Sequence, residues 1–377
     1  MRFSRRLAEQ LEPSALSRRL ARARAAGAVR CDLTSSSPSA TGIAYPEELL
    51  EALRASSSAR YTPAPLGSLE ARRAVAALHE GVSPEDVVLT ASTSESYGYL
   101  FKLFCDPGCS ALAPEPSYPL LSHLARLDAV TLEPYELMYD GAWHLSTAPL
   151  APSPNARLVI AVSPNNPTGS CLSRAELTRL SALGLPLVSD EVFHAYPFTD
   201  EALPSLLDLD LEVPCFTLGG LSKQVGLPGL KVGWMILSGP QKYREEIRQR
   251  LALIADTYLS VNAPAEAALP QVLHHGARVA AAIRARVRQN LRALDQALAG
   301  SSMTRLTASG GWSACVRLPA TREEEAWALT LLEAGVVSQP AYLYDLPGPT
   351  LVLSLITPPD VWAEGLEVLR QVVSDSS

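Results

Sequence analysis

Through the middle of the chain, short runs of apolar residues alternate with segments in which apolar positions recur at helical spacing. Short, continuous apolar runs fit strands that are buried on both faces of a sheet. Strands that alternate with helices imply right-handed crossovers and a mostly parallel sheet. The predicted strands cover residues 87–89, 111–113, 130–132, 158–162, 187–188, 216–218 and 232–237.

Helical patterning dominates the flanks of this region. An amphipathic first helix is predicted within residues 1–27, and helices follow at 47–54, 67–79, 242–260 and 264–298. The arginines of the last segment are predicted to form a solvated face. After residue 311 the pattern changes to two strands and two helices, at 312–318, 351–355, 323–332 and 360–373.

These elements predict the fold class and the domain organisation. The fold is expected to be α/β, with a mostly parallel central sheet flanked by helices and a smaller α+β domain. The large domain is predicted to span residues 61–300. The small domain is predicted to be built from both chain ends, residues 1–60 and 301–377.

Composition narrows the class of protein. The chain has 377 residues, of which 47% are hydrophobic, so it can bury a large core. Its net charge of −7 argues against nucleic-acid binding, which needs a basic surface. No apolar run is long enough to span a membrane, and the N-terminal stretch lacks the apolar core of a signal peptide. The six cysteines form no C-x-x-C pair or zinc spacing, so we expect no metal site and a reduced protein in the cytoplasm.

Three polar segments each follow a predicted strand. Residues 163–169 read Ser-Pro-Asn-Asn-Pro-Thr-Gly, residues 189–193 read Ser-Asp-Glu-Val-Phe, and residues 219–223 read Gly-Gly-Leu-Ser-Lys. Each segment alone fits a turn, a helix cap or a surface loop. Because α/β sheets bind ligands at the carboxyl ends of their strands, their order and spacing together indicate one site that contains Asn166, Asp190 and Lys223.

The three segments resemble the signature motifs of the class I and II aminotransferases, which are pyridoxal phosphate enzymes of fold type I. Three further segments agree with the family. Tyr61 followed by residues 67–72 resembles its Tyr…Gly…Leu-Arg segment, residues 89–95 its phosphate loop, and residues 114–119 its Pro-x-Tyr-Pro segment. The likeness extends from about residue 32 to the C-terminus.

The resemblance implies a role for each central residue. Lys223 would hold pyridoxal phosphate as a Schiff base and then move a proton at the substrate α-carbon. Asp190 would pair with the pyridine nitrogen and keep it protonated. Asn166 would donate to the O3′ oxygen of the ring, and Tyr118 would stack on the ring face.

The resemblance also implies a phosphate site and a second subunit. Ser92 and Thr93 precede a predicted helix, whose N-terminus attracts anions. Ser222 and Lys231 would add a hydroxyl and a positive charge. Tyr61 would reach the phosphate of the neighbouring subunit, which implies a homodimer.

Four positions depart from the family pattern. Gly220 and Lys231 replace a hydroxyl residue and an arginine at the phosphate, and Phe193 replaces a tyrosine that often donates to O3′. Val352 stands where the family has the arginine that binds the substrate carboxylate. Either Arg317 or another basic residue replaces that arginine, or the substrate lacks a carboxylate there.

The expected activity is transamination between an amino acid or amine and a keto acid. The alternatives on the same fold are β-elimination or C–S cleavage, decarboxylation and racemisation. A regulator that carries an aminotransferase-like domain is a third class of protein. The acidic chain, together with Lys223 and Asp190, argues against that class.

Overall fold

The structure is a computed structural model, and it describes residues 3–7, 12–55 and 62–375. Tyr61, which was predicted to reach a neighbouring subunit, lies outside the described residues. The helices are α1 (Ala15–Ala25), α2 (Glu47–Ala55), α3 (Leu69–Ala76), α4 (Thr93–Phe104), α5 (Leu120–Leu127), α6 (Arg174–Ser181), α7 (Leu221–Gln224), α8 (Gln241–Tyr258), α9 (Ala263–Leu298), α10 (Glu324–Glu333) and α11 (Pro359–Ser374).

The strands fall into a large central sheet and two smaller sheets. Their bounds are β1 (Cys31–Asp32), β2 (Val87–Thr90), β3 (Ser110–Glu115), β4 (Thr131–Tyr139), β5 (Trp143–Leu145), β6 (Ala156–Val162), β7 (Leu187–Asp190), β8 (Cys215–Gly220), β9 (Gly233–Ser238), β10 (Thr304–Arg305), β11 (Ser313–Arg317), β12 (Val336–Val337), β13 (Gln339–Pro340) and β14 (Thr350–Ser354).

The central sheet has the order β2-β9-β8-β7-β6-β3-β4-β5 among the described residues. The inner pairs β8–β7, β7–β6, β6–β3 and β3–β4 are parallel, whereas β9 runs antiparallel to both of its neighbours and β5 runs antiparallel to β4. The predicted α/β fold with its central sheet is therefore confirmed. The sheet is mixed because β9 runs against β8 and β2 and because β5 runs against β4.

Helices cover both faces of the middle of this sheet, which explains why strands such as β2, β6 and β9 are largely apolar and buried. Val88 faces a cluster that includes side chains of α4, α5 and α8. Its neighbours Val87 and Leu89 face the opposite cluster, which includes α3 and the first half of α9. Because successive strand residues point to opposite faces, a strand covered on both sides shows no polar alternation.

The second half of α9 belongs to a different core, which also contains residues from both ends of the described chain. Leu33 and Leu49 pack there with Leu351 and Trp362. Strand β1 pairs in parallel with β12, and β10, β11, β14 and β13 form an antiparallel sheet. The domain boundaries at residues 60 and 300 stay a prediction.

The structure refines one pattern-based expectation and corrects another. Helix α1 begins only at Ala15, because Ser14 caps it by accepting a hydrogen bond from the N–H of Ser17. The arginines of α9 are not all solvated: Arg284, Arg286 and Arg288 donate to backbone carbonyls of segments packed beside the helix. A long guanidinium side chain can satisfy carbonyls that a loop leaves unpaired.

Within the described residues, no helix combines the length and the apolarity that crossing a membrane requires.

Candidate active site

Five of the predicted site residues lie at one edge of the central sheet. Strands β2, β8, β7, β6 and β3 all point their carboxyl ends toward this edge, and β9 starts there. In α/β folds this is the edge at which ligands bind. The residues at or just after the ends of these strands, in their order across the sheet, are Thr93, Lys223, Asp190, Asn166 and Tyr118.

Lys223 lies in α7, directly after β8. Its Nζ lies 4.9 Å from the ring centroid of Trp312 and 5.5 Å from that of Phe193. Burial lowers the pKa of this amine, and the charge of Asp190 only partly opposes the effect. The neutral amine, which is the nucleophilic and proton-accepting form, is therefore more populated here than on an exposed lysine.

Asp190 ends β7 and is 3% exposed. Burial raises the pKa of its carboxyl group to about 6, although hydrogen bonds from the Val192 N–H and from Tyr97 lower it. The Val192 N–H donates to Oδ1 at 3.2 Å, and the Tyr97 phenol donates to Oδ2 at 3.0 Å. At neutral pH the carboxyl group is therefore mostly ionised, and it can pair with a protonated ring nitrogen.

The N-terminus of α4 is the predicted phosphate site. Ser92 caps the helix by accepting from the N–H of Glu95 at 3.2 Å. The N–H groups of Thr93 and Ser94 lie in the first turn, where a helix offers them no internal acceptor. Together with the helix dipole, they can hold a phosphate.

Two glycines bring this N-terminus close to the lysine loop. Gly233 pairs with Thr90 on β2 and with Gly220 on β8. A Cβ atom at Gly233 would stand 2.8 Å from the carbonyl carbon of Ser92 and 3.0 Å from the nitrogen of Thr93. The glycine at β9 thus permits a contact between backbones that any side chain would prevent.

The two other predicted phosphate ligands flank the same place. Ser222 follows Gly220 by two residues and is half-buried. Lys231 precedes Gly233 by two residues, is exposed, and has a left-handed backbone with φ of 53°. Their roles as phosphate ligands stay predictions.

The two asparagines in the turn of residues 163–169 have different surroundings. Asn165 is buried: its amide donates to the Pro116 carbonyl at 3.2 Å and its Oδ1 accepts from Thr168 at 3.0 Å. Asn166 is half-buried, and its side chain makes no hydrogen bond with the described part of the chain. The amide of Asn166 is therefore available for a ligand oxygen, as its predicted role requires.

Two aromatic residues at the site, Trp312 and Tyr97, were not predicted from the sequence. Trp312 is held there because the N–H groups of Ser309 and Gly310 donate to the Gly169 carbonyl of the asparagine turn. Its ring packs edge-on against Phe193 at 5.4 Å. Tyr97 stands one helical turn after Thr93, so the helical period could have placed both on one face of α4. No sequence signal indicated Trp312, because its contact depends on the packing of distant segments.

Val352 is buried and lies between Cys315 and Gln339 in neighbouring strands. It packs in an apolar cluster against which Tyr118 also packs. Arg317 is exposed on the same face of the strand pair, with its guanidinium carbon 5.8 Å from the ring centroid of Tyr139. Substrate binding by Arg317 stays a prediction.

The curated relatives include both aminotransferases and a lyase. The chain is 28% identical to the S-alkyl-thiohydroximate lyase of Arabidopsis thaliana over 250 residues, which is 62% of this chain and 53% of the relative. It is 26% identical to the tyrosine aminotransferase of Bos taurus over 230 residues, covering 58% of this chain and 51% of that protein. The matched part thus spans about half the length of these relatives.

Among solved structures, an aminotransferase from Escherichia coli has the same fold. It superposes with a TM-score of 0.86 at 21% identity and covers 99% of this chain and 98% of its own. A family model described as aminotransferase class I and II matches residues 30–352. This chain therefore belongs to the class I and II aminotransferase family.

Proposed function

We propose that this protein is an aminotransferase that moves an amino group between an amino acid or amine and a keto acid, with pyridoxal phosphate bound to Lys223. The observation that carries the proposal is the pair formed by the buried amine of Lys223 and the mostly ionised carboxylate of Asp190. Both lie at the sheet edge beside an anion-binding helix N-terminus.

The residues at this edge fit the cofactor. The N–H groups at the start of α4 would hold its phosphate, with Ser92, Thr93, Ser222 and Lys231 as further ligands. When bound, the cofactor supplies a carbonyl group that reacts with amines and a ring that accepts electrons from the substrate.

Each remaining residue would act on one part of the ligand. Asp190 would keep the ring nitrogen protonated, since a carboxylate favours a neighbouring positive charge. The free amide of Asn166 would donate to the ring oxygen, and Tyr118 would pack on the ring face. Phe193 has no hydroxyl group to donate, so it contributes packing near Lys223.

Lys223 would hold the cofactor and move the proton. Its lowered pKa favours the neutral amine, which can attack a carbonyl and afterwards accept a proton from the substrate α-carbon. Burial of the Lys223 side chain, whose Nζ lies near the rings of Trp312 and Phe193, is the physical cause of the lowered pKa.

A labelling experiment tests the cofactor assignment. We expect borohydride to fix pyridoxal phosphate on Lys223, and we expect Lys223→Ala to lower turnover by several orders of magnitude because the proton acceptor is lost. Lys242→Ala, an exposed lysine on α8, is the control. A peptide map that finds the label on Lys242 or Lys102 would contradict the assignment.

A lyase is the second candidate, because one matched relative is an S-alkyl-thiohydroximate lyase. The two functions differ in their products. A half-reaction screen with many amines and amino acids would yield a keto product and the aminated cofactor from a transaminase, but ammonia and a keto acid from a β-eliminating lyase.

We also propose a homodimer in the cytoplasm, in which Tyr61 contributes to the neighbouring site. An exposed apolar surface supports the dimer. Leu69 and Leu259 are 41% and 72% exposed, and they line one groove together with Pro63 and Pro65. Exposed apolar patches of this kind mark contacts between proteins.

A further inference from the structure

Tyr97 contacts the carboxylate that is proposed to hold the ring nitrogen, although no motif points to this tyrosine. It is fully buried, and its hydroxyl lies 3.0 Å from Oδ2 of Asp190. An ionised carboxylate can only accept hydrogen bonds, so the phenol donates. Burial raises the pKa of the phenol well above its usual value, so Tyr97 remains a donor throughout the neutral range.

The ring of Tyr97 is fixed by packing. It stacks on Phe101 with ring centroids 6.3 Å apart, and both belong to the core cluster on one face of the sheet. The hydroxyl group therefore has little freedom to leave Asp190. Since Tyr97 and Thr93 share helix α4, this hydrogen bond also ties Asp190 to the helix whose first turn offers the phosphate site.

Several described groups act on Asp190. Tyr97 and the Val192 N–H donate to it, the carboxylate of Glu191 opposes its ionisation, and Lys223 favours it. The phenol of Tyr118 interacts both with the phenol of Tyr97 and with the charge of Asp190. Each oxygen of Asp190 accepts one hydrogen bond and keeps a lone pair for a ligand.

We propose that Tyr97 is a positioning residue: its phenol holds Asp190 in one orientation and in its ionised form, so that the carboxylate is ready to pair with a protonated ring nitrogen of the cofactor. The inference rests on the proposed function, because it assigns that pairing to Asp190. It adds a residue that acts through Asp190 and does not touch the reacting atoms.

The test is the pH dependence of cofactor binding to the full-length protein, followed by the quenching of tryptophan fluorescence on addition of pyridoxal phosphate. Binding should weaken as the pH falls and Asp190 takes up a proton. Tyr97→Phe removes a donor to the charged form and so raises the pKa of Asp190. We expect the midpoint to move up by about one pH unit, which is about tenfold weaker binding at acid pH, while affinities converge at higher pH.

The control is Tyr135→Phe. Tyr135 is also buried, and its phenol donates to the Ile160 carbonyl at 2.8 Å on another part of the sheet. The variant loses a buried hydrogen bond without touching Asp190, so its midpoint should match the wild type. An unchanged midpoint in Tyr97→Phe, or an equal shift in both variants, overturns the inference.

A second substitution keeps the test decisive if Tyr97→Phe does not fold. Incorporation of 3-fluorotyrosine at position 97 makes the phenol a stronger donor, so the midpoint should move down. An unchanged or raised midpoint overturns the inference. If the wild type does not attach pyridoxal phosphate to Lys223, the proposed function and the inference fail together; if it does and Tyr97→Phe titrates normally, only the inference fails.

Discussion

Asp190 carries its charge at a place where burial opposes ionisation. Its carboxyl pKa is raised from a usual 3.8 to about 6, with burial as the largest cause. At pH values between these two pKa values, the Asp190 carboxyl group binds more protons in the folded protein than in the unfolded chain. The stability therefore falls as the pH rises through this window, and the loss remains at neutral pH. A ligand with a positive charge at the ring nitrogen would offset this loss.

Asp190→Asn should stabilise the cofactor-free protein, because it removes this buried charge. We expect its free energy of unfolding at pH 7 to rise by on the order of 2–3 kcal/mol, with little change near pH 4, where the folded wild type is already protonated. Urea unfolding at both pH values measures the difference. The exposed Asp106 provides the control, since Asp106→Asn should show no such gain. A gain of equal size at both pH values would contradict the electrostatic explanation.

Val352 stands where the family has the arginine that binds the substrate carboxylate, so this protein must bind a carboxylate in another way or use substrates without one. The surroundings of Val352 are apolar, and a buried carboxylate without a partner is costly. We expect Val352→Arg to favour simple α-amino acids such as alanine or glutamate, measured as a rise in kcat/KM relative to amines that lack a carboxylate. Val352→Met controls for the added bulk, and folding is checked first because overpacking costs about 1–3 kcal/mol.

The activity of the wild type with α-amino acids can contradict the interpretation that Val352 disfavours a substrate carboxylate. If it already uses these amino acids efficiently and loses that activity in Arg317→Ala, the guanidinium now over Tyr139 moves to the substrate. If neither substitution matters, the alignment of β14 with the family strand is wrong.

At the scale of elements, the site depends on how closely β9 approaches the start of α4. Gly233 makes this approach possible, since its missing side chain leaves room for the backbone of Ser92 and Thr93. Strand β9 also runs antiparallel to both of its neighbours, and it reaches the site edge with its first residue. Strand β9 therefore determines both the strand directions at this end of the sheet and the shape of the proposed phosphate site.

Gly233→Ala should displace the first turn of α4, because the contacts at 2.8 and 3.0 Å are with backbone atoms that cannot rotate away. We expect the affinity for pyridoxal phosphate to fall by at least about tenfold, equal to about 1.4 kcal/mol, measured by fluorescence titration. Gly229→Ala is the matched control: it lies in the same segment, and its added carbon meets no atom within 4 Å. Equal affinities for the two variants would show that the approach of β9 does not shape the phosphate site.

At the scale of the whole molecule, the surface groove lined by Leu69 and Leu259 is the proposed dimer contact. Leu259 caps α8 with a left-handed backbone, φ 53°, and still exposes 72% of its surface. A bulky residue in that conformation is strained, and an exposed leucine gains nothing from it in a monomer. Pro63 and Pro65, at the start of the described segment that follows Tyr61, line the same groove.

Leu259→Asp should weaken the proposed dimer, because a charge buried without a partner opposes association. We expect the dimer dissociation constant to rise at least about tenfold, or about 1.4 kcal/mol, measured by sedimentation equilibrium. Leu127→Asp replaces an exposed leucine of α5 and controls for general effects of the charge. A wild type that sediments as a monomer would contradict the dimer itself.

The amino-acid sequence determined the fold class and the central part of the site. Continuous apolar runs predicted the strands of the central sheet except β5, since such runs are stable only when both faces are covered. Asn166, Asp190 and Lys223 were predicted to meet because each follows one of these strands, and parallel strands end at a common edge. The described residues place all three there.

Only the tertiary structure decided which side chains surround them. Tyr97 and Trp312 reach the site through contacts with residues far away in sequence, at Asp190 and at Lys223. The tertiary structure also decided the role of Arg284 and Arg286. Both donate to backbone carbonyls of segments far away in sequence, and no pattern along α9 indicates those acceptors. Local periodicity reports which face of an element is buried, whereas the partners on that face depend on the packing of the whole chain.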